Sequence, residues 1–489
     1  MPLVWLIAII AALAATGLVL GPRRALASAG GDARTMHSLP RYYGLNVALF
    51  AAVPALLVML VWLIVQPIWI EGRVASLVPE DAYADSGDLS LVMADVRRLA
   101  RGIDRAVAQS ALSPEAARDP AAEFEAIRRT VTDLGVVLGT NVDASSLVAA
   151  QRYRELETRG DAALTAVVLV LAIAGFAWAM MRTNGQARAR NSVERAVLAL
   201  LLLASTIAIL TTVGIVLSML FETMNFFSQY PASEFFFSTN WDPSFSGRGG
   251  ASELGILPLL WGTLYISFIA LLVAVPVGLL AAIYLSEFAS KRLRSVAKPL
   301  IEVLAGIPTI VYGLFALVTV GPLIRDAIAS PLGLGNSASS VMTAGIVMGI
   351  MLIPFVSSLS DDIINAVPQA MRDGSFGLGA THAETIRQVI LPAALPGIVG
   401  AILLAASRAI GETMIVVLGA GAAARLSLNP FEAMTTVTVK IVSQLTGDTD
   451  FASPETLVAF ALGLTLFVIT LGLNVLALFI VRRYREQYE

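Results

Sequence analysis

The sequence alternates between long apolar runs and shorter polar stretches over its whole length. An apolar run of about 20 residues is long enough to cross the hydrocarbon core of a bilayer as a helix. Runs of this kind fall at 3–20, 45–70, 162–181, 196–221, 257–285, 299–320, 341–359, 395–418 and 457–481. The first run has no positive segment before it, so we interpret it as a retained helix and not as a signal peptide. The pattern predicts an all-α polytopic membrane protein with nine spans.

Basic residues mark every second loop between these runs. They are Arg23, Arg24, Arg34, Arg41, Arg182, Arg188, Arg190, Arg195, Lys291, Arg292, Arg294, Lys298, Arg372, Arg387, Arg482, Arg483 and Arg485. Cytoplasmic loops carry an excess of Lys and Arg. The alternation therefore predicts an N-terminus outside the cell, a C-terminus in the cytoplasm and an odd number of spans.

A polar stretch at 71–160 interrupts the first part of the chain. Apolar residues recur there at helical spacing, which predicts a small helical extracytoplasmic domain. One such series is Val92, Val96, Leu99 and Ile103. We divide the chain into three parts: an N-terminal membrane module at 1–181 that contains this insert, a basic cytoplasmic linker at 182–195, and a six-span core at 196–489.

The first loop of the core, 222–253, is rich in aromatic residues. They are Phe226, Phe227, Tyr230, Phe235, Phe236, Phe237 and Trp241. Aromatic residues collect at membrane–water interfaces, and they also anchor contacts with partner proteins. The pattern favours the interfacial belt and leaves the partner contact open.

Composition excludes several classes of function. The chain is 57% hydrophobic and 14% charged, whereas soluble domains average about 25% charged residues. A net charge of −3 gives no basic surface for nucleic acid, and without Cys there is no thiolate site. His37 and His382 are too few and too far apart for a metal or catalytic site, and each is expected to be solvated. No G-x-x-x-x-G-K-[ST] loop occurs, so any ATPase must be another polypeptide.

The polar stretch 368–396 lies between the seventh and eighth runs and carries both charge signs. Pro368 is well placed to begin a short helix, because its missing N–H would be unpaired there anyway. Gly374, Gly377 and Gly379 are expected to break that helix and allow a turn with positive φ.

A second short helix is predicted over 380–390. Its spacing places Ala383, Ile386 and Ile390 on one face and Glu384 on another. Two short helices around a glycine turn fit docking into a groove of another protein. An ordinary solvated loop between two spans fits the same pattern.

The stretch 368–396 resembles the coupling loop of binding-protein-dependent ABC importer permeases. The motif of that family begins with E-A-A, which is followed by three variable residues and a Gly. Nine further residues separate this Gly from a β-branched residue, one variable residue and a closing Leu-Pro pair. The Gly and Leu-Pro spacing matches here, whereas Asp-Gly-Ser replaces the opening triplet. The resemblance implies that contacts with an ATPase come from Asp373, Gly379, Ala383, Glu384, Ile386, Leu391 and Pro392.

Arg408 and Glu412 lie inside the eighth apolar run, beside Ser407 and Thr413. A lone Arg at mid-membrane costs about 2.5–3.5 kcal/mol on insertion scales. Residues four apart share a helix face, so we predict an Arg408–Glu412 ion pair that offsets part of this cost. Arg also binds phosphate through its planar fork. A substrate pathway and a structural ion pair both fit these residues.

Glu302, in the sixth run, is a second candidate for a buried carboxylate on the substrate pathway, with Lys298 one turn earlier. It could equally snorkel to the cytoplasmic rim. The 306–308 segment, Gly-Ile-Pro, predicts a kink in the same span. Asp361 and Asp362, at the end of the seventh run, are expected to be solvated.

Further segments resemble the phosphate-specific branch of these permeases, and within it the PstC type of subunit. They are FSTNWDP at 237–243, GILPLLWGT at 255–263, PVG at 276–278, IYLSE at 283–287 and GIPTIVYG at 306–313. The resemblance is strong from 235 onward and weak over 1–181. It implies a type I ABC importer transmembrane bundle in the six-span core, with an Arg and a Glu linked to transport.

The resemblance implies a multi-pass permease subunit of an ATP-driven phosphate importer in the bacterial plasma membrane, which is not itself an enzyme. The implied partners are an ABC ATPase dimer that holds ATP, a second homologous permease, an extracytoplasmic phosphate-binding protein and the lipid bilayer. No cofactor, metal or nucleic acid is expected on this chain.

Two alternatives remain: a permease for another oxyanion or small solute, and a membrane sensor with 71–160 as its input domain. A sensor should carry a cytoplasmic output domain, and only a short tail follows 481. A self-sufficient secondary transporter would need paired repeats with broken helices, and no clear internal repeat is found.

The charge alternation predicts the side on which the 71–160 insert lies. A reporter enzyme that works only outside the cytoplasm, fused near Asp119, should be active in cells. The same reporter fused after Arg485 should be inactive. Activity in the reverse arrangement would overturn the predicted orientation.

Overall fold

The computed structural model describes residues 1–79, 86–117, 124–136, 144–244, 252–447 and 453–485. Within these residues, nine helices are long and apolar enough to cross a membrane. They are Leu3–Ser28, Pro40–Ala75, Ala144–Arg182, Ala189–Gln229, Leu257–Phe288, Thr309–Ala329, Val341–Asn365, His382–Ile410 and Pro454–Arg483. The predicted all-α polytopic class is confirmed. The chain forms two compact units, Met1–Ile207 and Ala208–Glu489.

Three long helices form the membrane part of the first unit: α1 (Leu3–Ser28), α2 (Pro40–Ala75) and α5 (Ala144–Arg182). They pack closely through small residues, as helices in membranes commonly do. A Cβ atom at Gly175 of α5 would lie 2.0 Å from the Phe50 carbonyl oxygen of α2. Only glycine allows this approach of the two backbones.

The insert between α2 and α5 contains α3 (Ser86–Ala108) and α4 (Phe124–Asp133). Both helices bury an apolar face in one cluster, which confirms the helical spacing noted in the sequence. The buried members include Val96, Leu99, Ile103, Ile127, Val131 and Leu147. Leu147 lies in the first turns of α5, so a single helix runs from the insert into the membrane span.

The second unit begins within α6 (Ala189–Gln229). Next come α7 (Ala232–Phe237), an antiparallel pair of short strands β1 (Trp241–Asp242) and β2 (Glu253–Leu254), α8 (Leu257–Ile283), α9 (Lys291–Ala305), α10 (Thr309–Phe315) and α11 (Gly321–Ile324). The remaining helices are α12 (Val341–Asn365), α13 (Gln369–Gly377), α14 (His382–Thr385), α15 (Leu391–Ile410), α16 (Met414–Gly419), α17 (Val437–Gly447) and α18 (Pro454–Arg485).

The core of this unit lies along α8 and α12. Ile266 and Ala270 of α8 are buried against Val347, Met348 and Leu352 of α12. Residues from α10, α15 and α16 complete the same cluster. Membrane helices gain stability mainly from such close packing, because lipid tails are as apolar as the side chains.

Several aromatic residues of the 222–253 loop form a core and not an interfacial belt. Phe226 and Phe235 are fully buried, and Trp241 is nearly so, together with residues of α8, α17 and α18. Phe226 and Phe235 meet edge to face with ring centroids 5.5 Å apart. Of the described aromatic side chains in this loop, Phe237 is the most exposed.

The sixth span differs from its predicted bounds of 299–320. The chain forms a separate helix, α9, then leaves helical geometry at 306–308 and begins the span at Thr309. Gly306 caps α9 and Pro308 precedes α10, so the segment is a break and not a kink. The Tyr312 hydroxyl donates to the Leu304 carbonyl at 2.8 Å and bridges the break.

Asp361, near the C-terminal end of α12, is buried and not solvated as the sequence suggested. Arg294 donates to its two carboxylate oxygens at 2.9 Å, and Lys298 donates at 2.8 Å. The hydrogen bond to Asp361 raises the pKa of the Lys298 ammonium. These charges attach α9 to α12. The side chain of the neighbouring Asp362 is mostly exposed.

We predict that Asp361→Asn destabilises the protein more than Asp362→Asn. Breaking a buried ion pair costs about 3–5 kcal/mol, but the two cations on Asp361 remain partly exposed. We therefore expect a loss of about 1–3 kcal/mol for Asp361→Asn and less than about 1 kcal/mol for Asp362→Asn. Thermal unfolding of the purified protein in mild detergent measures the difference. Equal midpoints for the two variants would contradict the structural role of Asp361.

Candidate functional site

The loop between α12 and α15 begins with the short helix α13. Pro368 caps it, as the sequence predicted, but Gly374 lies inside the helix and Gly377 is its last residue. Gly379 alone turns the chain, with φ of +85°. A Cβ atom there would meet nothing within 4 Å. The backbone angle, and not a lack of space, therefore requires glycine at position 379.

The second helix of the loop is continuous with the eighth span. It begins with a capping box, in which Thr381 Oγ1 accepts from the Glu384 N–H at 3.3 Å and Glu384 Oε2 accepts from the Thr381 N–H at 2.8 Å. A π-helical turn at Ile386–Ile390 joins α14 to α15. The predicted separate helix at 380–390 is wrong in this respect, because nothing interrupts the helix before Ile410.

The predicted apolar face of this helix is confirmed in part. Ile386 and Ile390 are buried against Ile364 and Val367, whereas Ala383 is exposed. The buried part of the helix begins at Thr385, so the face is shorter than expected. Leu391 and Pro392 of the Leu-Pro pair open the first turn of α15, where Leu391 is partly buried and Pro392 is exposed.

The tip of the loop is apolar and exposed. The Leu378 side chain, directly before Gly379, is 92% exposed, and Phe376 is 43% exposed. Asp373 is also exposed, and its Oδ1 accepts from Gln369 Nε2 at 3.0 Å. Sequence reasoning missed Leu378. The feature of the sequence that indicates Leu378 is an apolar residue directly before the turn glycine.

A buried ion pair holds the loop to the π-helical turn Tyr284–Phe288, which continues α8 at its C-terminal end. The guanidinium of Arg372 contacts the Glu287 carboxylate, and its other nitrogen donates to the Ile364 carbonyl at 2.7 Å. A ring nitrogen of His382, which lies on the protein surface, is 3.0 Å from the Glu287 carbonyl. Arg372, treated in the sequence only as a topology marker, therefore joins α13, α12 and α8.

The helix of the eighth span ends between Arg408 and Glu412, and the predicted ion pair does not form. Helix α15 stops at Ile410, and Gly411 caps it, so Glu412 no longer follows the helix face that carries Arg408. Glu412 Oε1 accepts instead from the N–H groups of Met414 and Ile415, at 3.0 and 3.5 Å. The predicted ion pair is wrong, and Glu412 caps the short helix α16.

Arg408 lies in the last turn of α15 and is exposed in the isolated chain. Its guanidinium carbon is 5.8 Å from the ring centroid of Phe355. Among the described residues no carboxylate forms an ion pair with Arg408. The free side of the guanidinium can donate to an anion. Ser407 is partly buried beside it, and Thr413 Oγ1 is 3.5 Å from the Gly411 carbonyl.

Glu302 lies outside the sixth span, in which the sequence placed it. It lies on α9 and is exposed, so the predicted buried carboxylate is wrong. A small cavity of about 10 Å³ brings it together with Lys298, Asp361 and Ser357. The apolar positions of α9 remain on the surface, because its basic residues fix the helix to the end of α12.

The helical membrane bundle and its helix–glycine–helix loop define the membrane subunit of an ABC importer. The family model described as "Binding-protein-dependent transport system inner membrane component" matches residues 274–486, and one described as "Phosphate ATP-binding cassette transporter" matches residues 7–177.

Comparison with individual related proteins shows to which family of importer subunits the chain belongs. A probable ABC transporter permease protein, YqgH of Bacillus subtilis, is 35% identical over 48% of this chain and 74% of its own length. The phosphate transport system permease protein PstC of Mesorhizobium japonicum is 32% identical over 51% of this chain and 78% of its own length. The chain belongs to the family of PstC-type phosphate transport system permeases.

One solved structure, a bacterial ABC transporter involved in the import of the acidic polysaccharide alginate, is similar at a lower level. It is 16% identical over 61% of this chain and 99% of its own length, with a TM-score of 0.43.

Proposed function

We propose that this chain is the permease subunit of an ATP-driven phosphate importer in the bacterial plasma membrane. The observation that carries the proposal is a coupling-type loop, 368–396, in a chain that is 32% identical to a phosphate transport permease. The N-terminal unit adds support, since a phosphate transporter model matches residues 7–177. The chain forms half of the translocation pathway, with its N-terminus outside and its C-terminus in the cytoplasm.

The importer needs further subunits. The sequence has no G-x-x-x-x-G-K-[ST] loop, so ATP is bound and hydrolysed on an ABC ATPase dimer. A second, homologous permease supplies the other half of the pathway. An extracytoplasmic phosphate-binding protein delivers the substrate. This chain itself holds no cofactor.

The loop tip is the point of contact with the ATPase. Leu378 projects almost completely into solvent beside the rigid turn at Gly379. An exposed apolar side chain on a small helical element suits insertion into an apolar groove. Exposed Asp373 and Glu384 border this tip and form a polar rim.

The Arg372–Glu287 pair carries motion of the tip into the membrane bundle. Both side chains are largely buried, so separating them would leave a charge unpaired at considerable cost. A push on α13 therefore moves the end of α8 with it. Helix α14 follows as well, because it continues into α15 and ends beside Arg408.

Arg408 contributes to the phosphate pathway at the other end of α15. A cation inside the spans is costly unless an anion approaches it. A phosphate anion that enters a closed pathway needs charge compensation, and a planar guanidinium can donate to two of its oxygens. Ser407 and Thr413 supply neutral hydroxyl groups next to it. Glu412 shapes the site through its cap on α16.

We predict that Leu378→Asp prevents binding of the ATPase without affecting membrane insertion. The added charge would be buried unpaired in an apolar groove, which costs several kcal/mol. Affinity purification in mild detergent should recover the second permease but no ATPase. Leu332→Asp, which changes another largely exposed leucine, should recover both.

The variant Gly379→Val tests the contact between the loop tip and the ATPase in a second, independent way. Valine at φ of +85° is strained, so the tip should shift and ATP hydrolysis should lose its coupling to uptake. Full recovery of the ATPase with Leu378→Asp, together with normal coupling in Gly379→Val, would overturn the role of the loop.

We predict that phosphate uptake depends on ATP and on Arg408. Lys keeps the charge but loses the fork, so Arg408→Lys should slow uptake about tenfold, the loss of roughly one charge-assisted hydrogen bond. Arg408→Ala should abolish uptake. Initial rates with radiolabelled phosphate, corrected for the amount of complex in the membrane, measure both effects.

The possible outcomes test the proposed function and the proposed role of Arg408 separately. Absence of ATP-dependent phosphate uptake by the wild-type complex would overturn the proposed function. Uptake at the wild-type rate by both Arg408 variants would overturn only the role of Arg408.

A further inference from the structure

Helix α17, Val437–Gly447, has 11 residues, a length of about 16 Å. Val437 and Thr438 in its first turn are almost inaccessible, and so is Thr436 directly before the helix. The start of this helix is therefore enclosed by protein.

Two hydrogen bonds fix the position of this first turn. The Val437 N–H donates to Thr263 Oγ1 at 3.0 Å, in the second turn of α8. Thr438 Oγ1 donates to the Glu412 carbonyl at 2.9 Å. The start of α17 is therefore attached to the break between α15 and α16, one turn beyond Arg408.

Lys440 lies in this first part of α17 and is partly buried. Within the described residues, no hydrogen bond or ion pair reaches its ammonium group. Other partly buried cations of the same unit do have carboxylate partners: Lys298 and Arg294 share Asp361, and Arg372 contacts Glu287.

Helix stability does not explain a lysine at this position. The helix dipole disfavours a cation in the first turns, and burial removes part of the hydration that an ammonium group needs. The chain has only three lysines, Lys291, Lys298 and Lys440, among 33 basic residues. The first two lie on the basic helix α9.

Polar atoms without partners flank Lys440. Gln444, one turn along α17, is 1% exposed, and its Oε1 has no hydrogen-bond partner among the described residues. The Thr435 hydroxyl, just before the helix, is fully buried and has none either. Buried polar groups normally find partners, so this region is suited to a polar ligand or water.

We propose that Lys440 is a second cation of the anion pathway, which binds the phosphate oxyanion in addition to Arg408. The inference rests on the proposed function. An ammonium group is a compact donor on a flexible stem, and it can follow an anion that moves past the fixed fork of Arg408. Two cations match the charge of a phosphate dianion better than one.

The test compares phosphate uptake by the complete transporter with Lys440→Met, Lys440→Arg and the control Lys291→Met. Methionine keeps the length and apolar stem of lysine but removes the charge. Lys440→Met should lower the initial rate about tenfold at an unchanged amount of complex, the loss of roughly one charge-assisted hydrogen bond. Lys440→Arg should restore most of the rate, and the exposed Lys291→Met should transport normally.

A second measurement separates transport from folding. In vesicles that also contain the second permease, the ATPase and the binding protein, Lys440→Met should still hydrolyse ATP in response to phosphate-loaded binding protein while accumulating little phosphate. Wild-type uptake by Lys440→Met would overturn the proposal. A loss that Lys440→Arg does not restore, with less complex in the membrane, would overturn it in favour of a structural lysine. A wild-type complex that does not import phosphate would instead overturn the proposed function.

Discussion

The absence of water from the bilayer core constrains this structure more than any other factor. Every backbone group and charge placed there must find its partner within the protein. The nine long helices found among the described residues meet this requirement internally, and two breaks meet it through specific side chains. Tyr312 bridges the break before α10. At the break between α15 and α16, the Glu412 side chain caps α16 and the Glu412 carbonyl accepts from Thr438. The backbone groups at each break are therefore held in place by specific side chains.

The same constraint operates at the end of the bundle that carries the loop. Asp361 and Glu287 are buried carboxylates, and each is neutralised by basic residues from another element. These pairs fix α9 and α13 to the spans and leave the tip at Leu378 free. In the proposed coupling, a force applied to the tip would reach α8 through Arg372 and α15 through an uninterrupted helix. A rigid base and an exposed tip suit the loop to this role.

The residues that we propose for the phosphate pathway show the opposite arrangement. Arg408 and Lys440 lack a carboxylate partner among the described residues. A stable bundle alone would favour paired or apolar residues at such positions. Cations without a carboxylate partner are suited to a transient anion, because in the proposed pathway the substrate would supply the missing charge while it passes.

Local patterns in the sequence are enough to define the class of the protein. Length and apolar content define the spans, and the spacing from Gly379 to Leu391-Pro392 marks the loop, because each depends on local properties of consecutive residues. The tertiary structure decided where helices end and which charges meet. The Arg408–Glu412 pair was inferred from helical periodicity, which fails once Gly411 ends the helix. Asp361 and Arg372 acquire their roles from residues far away in the chain, and no local pattern in the sequence records such contacts.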